Sequence, residues 1–443
     1  MEEVTSALES IVAAAAPAPE ESAEPAIAFR TTMPANVSSL DAKGEAMEQV
    51  RAYLAERECA AWLSHELSVQ YCEQASPSLL PKWDEEGGAK REHVKDGKTF
   101  GRLLIDDFHA YCQRLSESTD EKAALAALAD KKQAWRRVAV SAHGIRNMRR
   151  KMEDRHVVVN SLRGLLGAGC QCNDVDYALF AVLDGHGGAE VATYAASHLA
   201  LHTAAQLSKK AKQRAQTTST PPPLSTEELS ESVKAALSTL DSRILAKAAN
   251  ERLRSGCTAV VALLRTSSDA ASCPSALSVA WLGDSEAALV SASTEDGEAR
   301  CRLLTTAHRL DDPAELRRVE EAGGSVIVVG GEARVMGTLN VCRALGDAFA
   351  KPIVSGEADT SSVEVGADDL LLILACDGLL EAMDETDFAR VVRAFVVDHP
   401  PDEYEQLAGR LVQAAKESGA TDNLTAIVVL LQDPETVWAK LSA

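Results

Sequence analysis

Aromatic residues are scarce in this 443-residue chain: Phe, Tyr and Trp together make up 4%. The interior must therefore be built mostly from Val, Leu and Ala. Basic charge is also short. Lys and Arg number 45 against 66 Asp and Glu, a formal net charge of −21. Such a surface repels polyanions, which disfavours nucleic acid and anionic membrane as main partners. One local exception is the basic cluster Arg146, Arg149, Arg150 and Lys151. Long hydrophobic runs are missing: none approaches the roughly 18 residues of a membrane span. A secretory leader is not visible either, because no basic residue precedes Arg30 and prolines and glutamates break the Ala-rich start. The ten cysteines are scattered, several within apolar runs, and are expected to be reduced and buried. Cys170-Gln171-Cys172 lacks the spacing of a zinc pair, and no Cys-x5-Arg loop offers a thiolate nucleophile. Together these features point to a cytoplasmic protein, with the nucleus also open to it.

What is present divides the chain. Residues 1–40 are rich in Ala, Pro, Glu and Ser and are expected to be a disordered tail. Residues 41–135 carry apolar positions at helical spacing, among them Val50, Leu54, Leu63 and Leu67, interrupted by a polar break, WDEEGGAKREHVKDG. This reads as a helical accessory region without chemical motifs. From about residue 136 to 433 the texture becomes β-rich: YALFAVLDG, TAVVALL, LSVAWLGD, SVIVVGG, LLLILACDG and NLTAIVVLL. Helical segments separate them, including DPAELRRVEEAGG, where Asp312 precedes Pro313 as cap and first-turn residue. SKKAKQRAQTTSTPPPLST reads as a loop, TAVVALL with LSVAWLGDSEAALV as antiparallel strands, and residues 434–443 as a C-terminal tail. The irregular alternation favours an α+β layered domain over a doubly wound sheet.

Acids end several of the strands. Asp184 closes FAVL, Asp284 follows Trp281-Leu282-Gly283, Asp377 closes LLLILAC, and Asp422 sits just before Leu424–Leu431. Glu153 and Asp154 precede His156–Val159. A single Asp there is ordinarily a turn former. Several charged groups at the ends of buried strands are costly unless paired or metal-bound. An all-oxygen donor set suits hard cations such as Mg²⁺ or Mn²⁺.

The motifs IRNMRRKMEDRH, FAVLDGHGG, SGCTAVV, LGDSEAAL, RVMGTLNVCRALGD, LACDG and TDNLTAIVV follow one another in this order. This series resembles the metal-dependent (type 2C) Ser/Thr protein phosphatases over Val138 to Gln432, about two thirds of the chain. RRKMEDRHV, AWLGDS, GTLNVCRALGD and KPIVSGEAD further resemble the calcium/calmodulin-dependent protein kinase phosphatase branch, whose members partner PIX exchange factors. The resemblance implies a four-layer α/β/β/α sandwich with two antiparallel sheets, beside the N-terminal helical region. It implies two Mn²⁺ or Mg²⁺ ions and a third, weaker metal position. Asp184 would bridge the two ions and the Gly185 carbonyl would bind one of them, with Asp377 and Asp422 on the other. Glu153 would act directly or through water, with Asp154 in support, and Asp284 and Glu381 would serve the third position.

By the same resemblance Arg149 would grip phosphate and His186 would protonate the leaving Ser or Thr oxygen. The substrates implied are phosphoproteins: calmodulin-dependent and p21-activated kinases. Some positions depart from the family pattern. Glu381 stands where many members carry Asp, Met336 where Asn is common, and Cys342 where Ser is common. None belongs to the two-metal set. His156 and His308 read as structural, as does the stretch from Arg334 to Asp347. Two other readings share the fold: an inactive scaffold or binding module, which loss of metal acids would signal, and a phosphatase of small molecules.

Overall fold

The computed structural model describes residues 2–14, 36–37, 41–57, 59, 61–75, 95–120, 123, 138–166, 175–216, 223–267, 276–292 and 299–442. Two compact units divide between Trp135 and Arg136.

The first unit contains α1 (Glu2–Ala14), β1 (Asn36–Val37), α2 (Ala42–Ala55), α3 (Ala61–Gln74), β2 (Lys95–Asp96) and α4 (Gly97–Glu117). Helix α1 corrects the expectation of disorder over residues 1–40. Val4, Leu8 and Ile11 recur at helical spacing and are buried. A short amphipathic stripe was hidden by the Pro-rich composition of the residues after it. Residues 15–35 and 38–40 of that tail, and residues 83–94 of the polar break, lie outside the described residues. Asp96 caps α4 by accepting from the Thr99 N–H at 2.9 Å. The few aromatics of this unit cluster: Phe108 meets Tyr71 edge-on with ring centroids 5.2 Å apart, and Tyr53 edge-on at 6.1 Å.

The second unit runs β3 (Val140–Ile145), β4 (Arg155–Val159), β5 (Val175–Leu183), β6 (Gly185–His186), α5 (Glu190–Ala215), α6 (Thr226–Glu251), β7 (Gly256–Cys257), β8 (Ala259–Ser267), β9 (Ala276–Leu282), β10 (Glu286–Ala292) and β11 (Ala299–Leu303). It continues through α7 (Pro313–Glu321), β12 (Val326–Val329), β13 (Glu332–Val335), β14 (Leu345–Gly346), β15 (Asp359–Val363), β16 (Asp369–Ala375), α8 (Asp377–Leu380), α9 (Glu385–Asp398), α10 (Leu407–Glu417), β17 (Leu424–Leu430) and α11 (Pro434–Leu441). Two five-stranded antiparallel sheets result, ordered β15-β9-β8-β5-β4 and β11-β10-β16-β17-β3. Helices α5 and α6 cover the first, and α9 and α10 the second. This is the four-layer α/β/β/α sandwich expected.

Strand β5 shows why the apolar runs are continuous rather than alternating. Ala178, Phe180 and Val182 join the core shared with the second sheet, while Leu179, Ala181 and Leu183 pack under α5 and α6. A strand covered on both faces needs apolar side chains at both phases.

Three details differ from the sequence reading. Helix α5 continues to Ala215, taking in the first part of the segment expected to be loop, of which 217–222 lie outside the described residues. Lys, Gln, Arg and Ala are good helix formers, and Lys210 bonds Glu231 at 2.5 Å. β8 and β9 do pair antiparallel, but SEAALV leaves that sheet and becomes β10 of the other. Gly283 makes the crossing at φ 98°, and a Cβ there would lie 2.5 Å from Thr258 Cβ. Residues 434–441 form α11 rather than an extended tail: Val437, Trp438 and Leu441 are buried in the sandwich core. Asp433 caps this helix and Pro434 begins it.

Candidate active site

Acids stand where several core strands meet the same end of the sandwich. Asp184 follows β5 of one sheet, Asp377 follows β16 of the other, Asp422 precedes β17, and Asp284 lies on the crossing from β9 to β10. Strand ends are fixed by their ladders, so the carboxylates inherit the rigidity of the core. Ligand atoms of Asp184, Cys376 and Asp377 lie within 4.8 Å of one another. Asp184 is further fixed through its carbonyl, which accepts from the Thr258 N–H at 2.8 Å.

The acids raise one another's proton affinity. Burial pushes Asp184 well above the usual carboxylate range, and the charges of Asp377 and Asp154 add to it. Asp377 is raised by burial despite a hydrogen bond with Asp184. Burial and then Asp377 push Asp284 up to about 7. Asp154 rises to about 6 through burial, partly offset by the Thr425 hydroxyl, which donates to it at 2.6 Å. Glu381 is also raised, first by burial and then by Asp377 and Asp422. Asp154 Oδ1 and Asp284 Oδ1 are buried without a hydrogen-bond partner among the described residues. Crowded carboxylates with orphaned oxygens fit divalent cations, whose charge reverses the penalty. The donors are oxygen apart from the Cys376 thiol, as Mn²⁺ or Mg²⁺ prefers.

Glu153 and Gly185 are adjacent through their backbones. A Cβ on Gly185 would lie 2.5 Å from the Glu153 carbonyl oxygen, so glycine is what lets the two segments meet. Arg149 forms an ion pair with Asp422. His186 lies close enough to draw Asp284 down, and its Nε2 is 2.7 Å from Asp347 Oδ2. Asp154, Asp184, Asp284, Asp377, Glu381, Asp422 and Arg149 thus lie within electrostatic reach of one another, with the Glu153 backbone against Gly185.

Two residues here were not singled out from the sequence. Asn423 pins the basic loop to the acids: its Oδ1 accepts from the Glu153 N–H at 2.9 Å, and its Nδ2 donates to the carbonyls of Arg146 at 2.9 Å and Lys151 at 3.0 Å. Its position directly after Asp422 was the available signal. Asp347 closes a stretch read as structural, and only the fold carries it to His186. His308 holds the residue just before Asp284: its Nδ1 accepts from the Gly283 N–H at 3.1 Å, and its Nε2 lies 3.0 Å from Asp359. Met336, at a position where the family favours Asn, has φ 51°. Asn tolerates that left-handed conformation better than Met.

The family profile of protein phosphatase 2C matches residues 138–424. The chain belongs to this family of metal-dependent Ser/Thr protein phosphatases. Among its relatives, protein phosphatase 1F of Homo sapiens is 34% identical over 409 residues, covering 90% of this chain and 81% of the relative. That match agrees with the branch resemblance read from the motifs. Protein phosphatase fem-2 of Caenorhabditis elegans is 33% identical over 304 residues, 69% of this chain and 61% of the relative. The shared segment thus spans about three fifths of fem-2, and 58% of the Mus musculus protein phosphatase 1F. The solved structure of a C. elegans sex determining protein superposes with a TM-score of 0.74 at 29% identity, covering 92% of each chain. A serine-threonine phosphatase 2C from Toxoplasma gondii shares the fold, with a TM-score of 0.55 at 20% identity over 66% of this chain and 94% of that one.

Proposed function

We propose that this chain hydrolyses phosphoserine and phosphothreonine in proteins, using two Mn²⁺ or Mg²⁺ ions held by Asp184, Gly185, Asp377 and Asp422. Glu153 and Asp154 support that pair, and Asp284 and Glu381 serve a third, weaker position. Bound there, the cations supply Lewis-acid charge and a more acidic water. Arg149 presents a planar fork of N–H donors to the phosphoryl oxygens. The water oxygen would bond to phosphorus, releasing a proton to solvent, as the bond from phosphorus to the Ser or Thr oxygen breaks. His186 gives a proton to that departing oxygen, a task suited to imidazole near neutral pH. Cytoplasmic signalling kinases of the calmodulin-dependent and p21-activated classes are the proposed substrates, and PIX-type exchange factors the proposed partners, from the likeness to the 1F branch.

The observation that carries this reading is the convergence of Asp184 and Asp377 from opposite sheets, beside the Arg149–Asp422 pair. The test is hydrolysis of a phosphothreonine peptide with Mn²⁺, with EDTA, and by the Asp377→Ala protein. Activity should vanish with EDTA and fall at least a hundredfold in the variant, on the order of the loss expected when electrostatic stabilisation of the transition state is removed. Full activity in EDTA or in Asp377→Ala overturns the proposal.

A further inference from the structure

The geometry points to Asp347 as the residue that positions His186, fixing the ring through Nε2 so that Nδ1 faces the leaving oxygen. This inference rests on the proposed role of His186 as proton donor.

The pair is built by three very short strands, ordered β14-β7-β6. His186 of β6 pairs with Gly256 of β7, and Gly256 pairs with Gly346 of β14. Asp347 is the next residue, so the carboxylate and the imidazole are brought together across Gly256. A Cβ at Gly256 would lie 2.1 Å from Asp347 Oδ2 and 2.4 Å from His186 Nε2. Glycine is therefore required for the two side chains to meet.

Asp347 is held in an arrangement that packing alone does not call for. Its side chain is fully buried, while His186 keeps 23% exposure. Its backbone has φ 45°, an unfavourable conformation outside glycine. Its N–H donates to the Ser255 carbonyl at 3.2 Å, and its own carbonyl accepts from the Ala350 N–H at 2.8 Å. Its Oδ1 is buried with no hydrogen-bond partner among the described residues. A fully buried carboxylate that hydrogen-bonds through one oxygen to a histidine nitrogen is costly, even with the Lys351 ammonium near enough to feel its charge. The return on that cost is orientation. With Nε2–H donated to Asp347, the protonated ring has its second N–H, at Nδ1, available for the departing oxygen. Asp347 touches neither substrate nor the reacting atoms in this arrangement, so it is a positioning residue.

Two measurements test this. The first compares a phosphothreonine peptide, whose alkoxide must be protonated, with p-nitrophenyl phosphate, whose phenolate departs unaided, using the full chain with Mn²⁺. Asp347→Asn should lose about 10- to 100-fold in kcat on the peptide and less than about threefold on the nitrophenyl ester, as expected when a general acid is misheld. Gly256→Ala should show the same asymmetry by wedging the pair apart with both side chains intact. If His186→Ala loses equally on both substrates, its role as donor fails and this inference fails with it. If His186→Ala is selective but Asp347→Asn and Gly256→Ala lose equally on both, or lose nothing, Asp347 is not its positioning residue.

The second measurement needs no turnover and serves even where a variant folds poorly. Nitrogen-15 NMR of the metal-free wild-type chain should show the neutral His186 ring as the Nε2–H tautomer. A ring protonated at Nδ1, with Nε2 bare, overturns the inference.

Discussion

The Arg149 guanidinium is ion-paired with the carboxylate of Asp422, 273 residues further along the chain. The contact joins the basic cluster around Arg149 to the acids that end the strands. Arg149 remains 60% exposed, and a guanidinium carries five N–H donors, so one ion pair does not use its capacity. Arg149→Ala should weaken inhibition by inorganic phosphate and raise KM for a phosphopeptide by about ten- to hundredfold, the size of a lost charge-assisted contact. An unchanged inhibition constant for phosphate would remove Arg149 from the phosphate site.

The raised acids make the stability of the metal-free protein depend on pH. Asp154 at about 6, Asp284 at about 7 and the raised Asp184 and Asp377 all hold protons more tightly folded than unfolded. Their stabilising contribution is complete below an unfolded value near 4; that of Asp154 and Asp284 is lost as pH rises through about 6 and about 7. In EDTA the melting temperature should be several degrees higher at pH 5 than at pH 8, roughly 2–4 °C for each kcal/mol. Mn²⁺ should restore the loss at pH 8, and Asp284→Asn should flatten the profile. A melting temperature in EDTA that climbs from pH 5 to pH 8, unchanged by Asp284→Asn, contradicts this account.

Glu315 sets the opposite sign. Burial raises its proton affinity, but hydrogen bonds from Arg343 and Arg318 outweigh that and hold it down at about 2. The Arg318 bond is 2.9 Å, and Arg343 also reaches Asp359 at 3.1 Å. This contribution is present above about pH 4.5 and lost as pH falls toward 2. Glu315→Ala should cost about 3 kcal/mol at neutral pH, because Arg343 keeps its burial and loses its principal partner. Urea denaturation checks this; a loss under about 0.5 kcal/mol, the range of a surface pair, contradicts it.

Removing residues 434–443 should destabilise the sandwich rather than trim a tail. Val437, Trp438 and Leu441 are buried, and the Trp438 Nε1–H donates to the His399 carbonyl at 2.6 Å. Burial of side chains this size contributes about 1.5–3 kcal/mol each. The truncated protein should melt roughly 10 °C or more below the full chain. An identical melting curve would show that α11 contributes nothing to the core.

The layers were legible in the sequence because doubly covered strands demand continuous apolar runs, and acids stand out where those runs stop. The assignment of each strand to a sheet was less legible. SEAALV follows β9 after a short turn, yet Gly283 carries it into the opposite sheet, and no local pattern distinguishes that from a hairpin. Asp347 stayed hidden for a related reason. Its partner, His186, is 161 residues away, and their meeting depends on two-residue strands too short for any periodicity. Helix α1 is short and is followed by Pro- and Glu-rich chain, so the composition of residues 1–40 masks its stripe of Val4, Leu8 and Ile11. Asp184, Asp377 and Asp422 stand out because each ends or begins an apolar run, and the motif series then implies their roles.

The crossing at Gly283 has a wider consequence. Asp184 is anchored to one sheet and Asp377 to the other, while Asp284 rides the strap between them. The spacing of the carboxylates is therefore a reading of how far one sheet has slid over its neighbour, and the sandwich behaves as a caliper whose jaws are aspartates. A bulky substitution between the sheets, at Ala262 or Ala288, would register at those jaws without touching an acid.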